Sequence, residues 1–194
     1  MPDLVLWVAT GSLAITTTGL LVSRSWRWSV GLLVLQYFAA FWLVLTHWQL
    51  SMSATVLVSG WMAAAALGMT RMNIREEPLT DISWPQGSLF RIFAAGLVLL
   101  AVSAAAESLP AWLPNIQLPL AWGALVLIGL GFLHLGMTLQ PMRVITGLLT
   151  SLLGFEVLFT LIENSILVAG LLVVVTLGLA LTGCYLLILG EPTT

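Results

Sequence analysis

The chain has 194 residues, of which 60% are hydrophobic and 7% are charged, with a net charge of −2. A soluble domain carries about 25% charged residues, so this composition excludes a water-facing surface over most of the chain and indicates an integral membrane protein. The six basic residues are all arginines, scattered along the chain, which excludes a basic surface for nucleic acid.

Seven apolar runs follow one another along the chain. A helix needs about 20 apolar residues to cross the hydrocarbon core of a bilayer, and each run comes close to that length. The runs cover residues 4–22, 29–45, 54–69, 89–106, 118–139, 144–162 and 166–189. No basic stretch precedes the first run, which favours a retained helix over a signal peptide. The sequence therefore predicts one all-α integral membrane domain over residues 1–194, a bundle of about seven transmembrane helices.

The charged residues between the runs predict the orientation. Counting helices places all six arginines on one side, namely Arg24, Arg27, Arg71, Arg75, Arg91 and Arg143. The other side carries the acidic residues Asp3, Glu107 and Glu163. Positive residues are retained in the cytoplasm, so we predict that the N-terminus is outside and the C-terminus inside. The expected location is a bacterial cytoplasmic membrane.

Glu156 is the main candidate for function, because it is an acidic residue inside an apolar helix. It follows Arg143 by 13 residues, which is about 20 Å along an α-helix. A carboxylate at this depth is costly, and such residues by default mark ion or proton pathways. Burial disfavours the charged form, which suits a group that takes up and releases protons. The alternative is a protonated glutamate that makes one interhelical hydrogen bond.

Three further residues are candidates for a proton path. Glu163 follows Glu156 by seven residues, in the turn before the last helix, where it either passes protons or only stabilises the helix start. His134, in the fifth helix, is a candidate relay or else a partner in an interhelical hydrogen bond. Gln36, in the second helix, and the threonines 16–18 of the first are expected to bond between helices or to their own backbone.

Small residues within the runs predict close helix packing, as at Gly60, Ala64, Gly129, Gly131, Gly178 and Gly183. The sequence also lacks the common motifs for metal binding, nucleotide binding and catalysis. The sequence contains no CxxC, HExxH, P-loop or GxGxxG pattern and no nucleophile–base pair at usable spacing. We therefore predict no cofactor in this chain and no catalysis by the chain alone.

The stretch Gln140–Ala169 begins with an arginine at a helix start and contains Gly154-Phe155-Glu156 in mid-helix. It resembles the subunit K family of respiratory complex I and the related small membrane component of the multisubunit sodium/proton antiporters. In size and helix number the whole chain is most similar to component E of the hydrogenase-4 type membrane hydrogenases. The short second helix with Gln36 is also similar to component E.

This resemblance implies that Glu156 belongs to a polar axis that carries protons through a membrane arm. It also implies polytopic partners, antiporter-like or hydrogenase-like, that hold the redox cofactors. These families usually place a second acidic residue within the following helix, whereas residues 166–189 contain no charge. Either Glu163 substitutes from the turn, or the proton path is interrupted.

The expected function is that of a small non-catalytic membrane subunit of a proton- or ion-translocating redox or antiporter complex, surrounded by lipid and polytopic partners. A structural or accessory scaffold subunit without a conducting role is the first alternative. An independent small transporter is the second, although such proteins often have broken helices and paired repeats, and the sequence indicates neither.

Overall fold

The computed structural model describes residues 2–23, 25–46, 48–73, 87–109, 117–160, 162 and 165–189. These ranges contain seven helices and no strand. The helices are α1 (Pro2–Val22), α2 (Trp26–Val44), α3 (Leu50–Asn73), α4 (Ser88–Ser108), α5 (Leu118–Gly136), α6 (Pro141–Phe159) and α7 (Ile166–Leu189). Each is long and apolar enough to cross a membrane. The prediction of an all-α, seven-helix membrane bundle is therefore confirmed.

Several helix ends differ from the prediction. α6 begins at Pro141 and ends at Phe159, three residues earlier than expected at each end. Proline fits the first turn of a helix, and it holds the preceding Gln140 in an extended conformation. α5 consequently ends at Gly136, because the next residues form the connection to α6. α3 is longer than predicted, since helical backbone continues into the polar residues up to Asn73.

The helices pack as two rows of three. One row is α1–α2–α3 and the other is α5–α6–α7, with α1 facing α5, α2 facing α6 and α3 facing α7. α4 lies outside the rows, against α1 and α5. The middle helices α2 and α6 therefore face each other at the centre of the bundle, where both flanks are covered.

Glycines allow α5 and α6 to approach closely. A Cβ atom at Gly154 would lie 2.7 Å from the Leu127 Cβ and 2.8 Å from the carbonyl oxygen of Ala124. A Cβ at Gly131 would lie 2.9 Å from the backbone nitrogen of Ser151. Small residues at such positions let helix backbones approach, which is how helices gain contact when lipid supplies no hydrophobic drive.

The prediction of close packing at small residues is confirmed at most positions. Neighbouring helices pack closely at Gly60, Ala64, Gly129, Gly131 and Gly183. The prediction is wrong for Gly178, because nothing lies within 4 Å of the place where its Cβ would stand. Gly178 is on the exposed face of α7, which is turned away from the bundle.

Buried arginines join three helix ends. Arg91, in the first turn of α4, donates from Nη1 to the carbonyl oxygen of Leu21 at 3.4 Å. Arg143, in the first turn of α6, donates from Nη2 to the carbonyl oxygen of Ser23. Both carbonyls belong to the C-terminal end of α1, where unpaired carbonyls and the helix dipole favour a cation. The starts of α4 and α6 thus meet the end of α1 at one end of the bundle, here called the arginine end.

The helix directions place the other described arginines at the same end. Arg27 lies in the first turn of α2 and Arg71 in the last turn of α3. Gly68 of α3 contacts Val30 of α2, which places the end of α3 beside the start of α2. The helix count and the clustering of arginines therefore agree, while Arg24 and Arg75 lie outside the described residues.

Candidate functional site

Glu156 lies in the last turn of α6 and is 2% exposed. The two residues before it in the Gly154-Phe155-Glu156 motif point elsewhere. Gly154 lies against α5, and Phe155 is exposed on the outside of the bundle. The glutamate side chain is directed to the region where α2, α6 and α7 meet. The three residues of the motif therefore lie on different faces of α6.

Thr176 of α7 is the hydrogen-bond donor to this carboxyl. Its hydroxyl donates to Glu156 Oε1 at 2.9 Å, and both side chains are buried. The second oxygen, Oε2, has no hydrogen-bond partner among the described residues. Burying an unpaired carboxylate is very costly, so this arrangement suits the neutral, protonated carboxyl.

Tyr37 of α2 is the third member of this site. Its side chain is completely buried, and its ring lies directly against Gly60 of α3, where even a Cβ atom would overlap the ring. The Tyr37 hydroxyl is beside the Thr176 hydroxyl and close enough to interact with the Glu156 charge. It makes no hydrogen bond with any atom in the described part of the chain. Glu156, Thr176 and Tyr37 together are called the carboxyl site below.

Gln36 forms a second polar group, nearer the arginine end. Its Nε2 donates to the Thr17 hydroxyl of α1 at 3.2 Å, and its Oε1 accepts from the Thr150 hydroxyl of α6 at 3.3 Å. Thr17 in turn donates to the carbonyl oxygen of Leu13 at 2.6 Å. The expectation of bonds between helices or to the backbone is confirmed for Gln36, Thr16 and Thr17. Gln36, Thr17 and Thr150 are called the amide site.

The carboxyl site and the amide site adjoin each other at the α2–α6 interface. Gln36 and Tyr37 are neighbours in α2, so this one helix contributes to both sites. On α6, Thr150 precedes Glu156 by six residues, or about 9 Å along the helix axis. The structure therefore brings Gln36 and Glu156 to the same interface. The two side chains are not hydrogen-bonded to each other.

His134 lies elsewhere, in the last turn of α5 at the arginine end. It is 6% exposed, and it interacts with the charges of Arg143 and Arg91. Because Arg143 is 13 residues before Glu156 on the same helix, His134 is far from the carboxyl site. Glu163, the fourth candidate, lies outside the described residues.

Two members of the carboxyl site were missed from the sequence. Thr176 is the first polar residue of α7 after ten apolar or glycine residues, and a lone hydroxyl in such a helix is a usable signal. Tyr37 follows Gln36 directly, but an aromatic residue in an apolar helix gives no indication of which groups its hydroxyl faces. No described histidine, cysteine or acidic residues form a group of three or more that could hold a metal ion.

Comparison with known proteins gives no relative: no family model, curated protein or solved structure matches this chain. The resemblance to the complex I and hydrogenase subunits therefore stays a prediction that none of these comparisons tests.

Proposed function

We propose that this integral membrane protein is a small non-catalytic subunit of a multisubunit complex that translocates protons or other ions, of the complex I-like, hydrogenase-like or antiporter kind. Glu156 would take up and release protons within it. The partners would be polytopic, antiporter-like or hydrogenase-like subunits that carry any redox cofactors. The membrane would be a bacterial cytoplasmic membrane, with the arginine end inside.

The observation that carries this proposal is the burial of Glu156 inside the bundle, with the neutral Thr176 hydroxyl as its hydrogen-bond donor among the described residues. An apolar side chain would pack at this position without the cost of burying a carboxyl. Ionisable groups inside membranes are rare and are usually retained for ion or proton movement. The site therefore favours a proton-exchanging role over a purely structural one.

The amide site extends this polar region toward the arginine end. Thr17, Gln36 and Thr150 supply hydroxyl and amide groups that both donate and accept hydrogen bonds. The remaining separation between Thr150 and Glu156, about 9 Å along α6, exceeds a hydrogen bond and requires a bridging group or water. Buried polar groups thus extend from the first helix to the seventh, as a proton path would need.

A scaffold subunit is the second candidate, and a specific contact favours it. The Thr176 hydroxyl already satisfies one oxygen of a protonated Glu156, so the pair could serve only to hold α7 against α6. An independent small transporter is the third candidate. The seven described helices are continuous, whereas transporters often build their sites from interrupted helices.

The test is Glu156→Gln in the intact complex, with Glu107→Gln as the matched control. Glutamine keeps the size and hydrogen bonding of Glu156 but cannot exchange a proton. We expect normal assembly and a loss of proton translocation of roughly 10²-fold, the lower part of the range for a proton-transfer group. Glu107 is exposed near the end of α4, so its variant should translocate normally.

Translocation can be measured in proteoliposomes with a pH-sensitive dye. Should Glu156→Gln translocate at the rate of the Glu107→Gln control, Glu156 has no conducting role and the scaffold function replaces the proposal.

A further inference from the structure

Two buried polar atoms at the carboxyl site lack partners within the described part of the chain: the Tyr37 hydroxyl and Glu156 Oε2. Both belong to side chains that interact with the Thr176 hydroxyl. Nearly all buried polar atoms in proteins are hydrogen-bonded, so each exception needs an explanation. Two unpaired atoms at one site, one of them a donor and the other an acceptor, suggest that they pair in another state.

The position of Tyr37 is determined by packing. Its ring lies on Gly60 of α3, which leaves no room for a larger side chain there. The hydroxyl is buried as well, and it interacts with Thr176 of α7 and Glu156 of α6. The phenol O–H is a donor that stays neutral while it donates. The bundle therefore places a rigid donor beside the glutamate.

The carboxyl of Glu156 is adjustable. The last torsion of a glutamate side chain is soft and has no sharp preferred values. Oε2 can therefore turn toward α2 while Oε1 keeps its bond to Thr176. In a protonated carboxyl one oxygen carries the proton and is itself a donor, whereas an ionised carboxylate accepts through both oxygens. The need for a second donor arises only when the proton leaves.

We propose that Tyr37 is the second hydrogen-bond donor of Glu156: when the carboxyl ionises, the Tyr37 hydroxyl donates to Oε2 while Thr176 donates to Oε1. Two neutral hydroxyls, one from α2 and one from α7, then stabilise the charge. Tyr37 keeps its own proton and is a positioning residue. This inference rests on the proposed function in one respect, namely that Glu156 ionises during turnover.

The proposal links the carboxyl site to the amide site. Tyr37 and Gln36 are consecutive residues of α2, so the helix that holds the amide would also donate to the ionised Glu156. Ionisation of Glu156 would thus add a hydrogen bond between α2 and α6. The amide site, with its bonds to Thr17 and Thr150, lies on the same pair of helices.

The test uses Tyr37→Phe, which removes only the hydroxyl, with Tyr185→Phe as control. These are the two tyrosines of the chain, and Tyr185 is exposed on α7. The readout is the infrared carboxyl and carboxylate bands of Glu156 in pH-difference spectra of the purified complex, assigned by their loss in Glu156→Gln. We expect Tyr37→Phe to shift the carboxylate band and Tyr185→Phe to leave it unchanged.

A second measurement covers the case in which Tyr37→Phe does not assemble. Fluorotyrosine incorporated at both tyrosines nearly preserves their volume and makes each hydroxyl a stronger donor. It should shift the Glu156 carboxylate band in the opposite direction to Tyr37→Phe. The shift should be the same size when Tyr185→Phe is also present, because Tyr37 is then the one tyrosine that carries fluorine. A carboxylate band that is insensitive to both changes overturns the proposal, even if translocation falls.

The two proposals fail separately. Normal proton translocation in Glu156→Gln would end the conducting role, whereas the band shift in Tyr37→Phe would still establish the hydrogen bond. If Tyr37 acts as proposed and Glu156 conducts, Tyr37→Phe should also lower the translocation rate by several-fold, less than Glu156→Gln does.

Discussion

The Thr176 hydroxyl donates a 2.9 Å hydrogen bond to Glu156 Oε1, and this bond joins the middle of α7 to the last turn of α6. α7 is otherwise almost entirely apolar and packs mainly on α3. This polar contact lies on the face of α7 that turns inward. It also supplies a hydrogen bond to Glu156, which is 2% exposed.

Replacing Thr176 by valine should destabilise the protein, because it removes the donor while keeping the shape of the side chain. Interhelical hydrogen bonds in membranes contribute about 0.6–2 kcal/mol, so we expect a loss of that size in thermal or denaturant unfolding in detergent. Thr182→Val is the matched control on the same helix, since Thr182 is exposed and donates to the carbonyl of Gly178 within that helix. Equal losses in both variants would contradict the structural role of the Thr176 hydroxyl.

Gly60→Ala should disturb the carboxyl site from the side of α3. The added methyl group would overlap the Tyr37 ring, and overpacking of this kind costs about 1–3 kcal/mol. Gly178→Ala is the control, because its Cβ would meet nothing within 4 Å. In unfolding measurements the control should be neutral or slightly more stable, because alanine has a higher helix propensity than glycine. A Gly60→Ala protein as stable as this control would mean that Tyr37 is not confined.

Arg143→Gln should weaken the arginine end. The guanidinium donates to the Ser23 carbonyl at the end of α1, and a hydrogen bond to a charged group contributes about 1.5–3 kcal/mol. We expect a lower unfolding temperature and faster proteolysis of the connection between α1 and α2. Arg27→Gln removes an exposed arginine of the same end and should have little effect. Similar losses in the two variants would indicate that only the total positive charge matters.

The orientation is tested with single cysteine reporters in a protein whose own Cys184 has been replaced. Reporters near Asp3, Pro114 and Asn164 should react with an impermeant thiol reagent added outside intact cells, and one near Glu76 should not. The reason is the retention of arginine-bearing segments in the cytoplasm. Labelling at Asn164 and Glu76 from the same side would be incompatible with seven membrane crossings.

Mild solubilisation should isolate the chain together with larger polytopic subunits. Much of the α4 and α7 surface consists of exposed apolar side chains, which in the membrane face lipid or partners. The check is affinity purification from native membranes followed by mass spectrometry of the bands. Recovery of a stable monomer that moves protons by itself would favour the independent transporter over the subunit.

The number and approximate position of the helices were accessible from the sequence. An apolar run of about 20 residues has no other stable arrangement in a membrane than a helix. The last run, 166–189, matched the observed α7 at both ends. Errors occurred where a proline or a polar stretch set the end, as at Pro141 and Asn73.

The carboxyl site was accessible only in part. Glu156 stood out because its charge is exceptional in its surroundings, and Gln36 because an amide in an apolar helix needs a partner. Their actual neighbours could not be inferred, since Gln36 and Thr150 are separated by 114 residues in the chain. His134 was grouped with Glu156 by residue type, but the structure places it near the arginine end, beside Arg143 and Arg91.

The sequence alone thus determined that this is a seven-helix membrane protein and that Glu156 is its exceptional buried acid. Only the tertiary structure decided which groups surround that acid. The physical reason is the uniform apolarity of helices such as α7, in which no periodic pattern distinguishes the inward face from the lipid face. The rotation that turns Thr176 inward and Gly178 outward follows from packing between rows of helices, which is a property of the whole bundle.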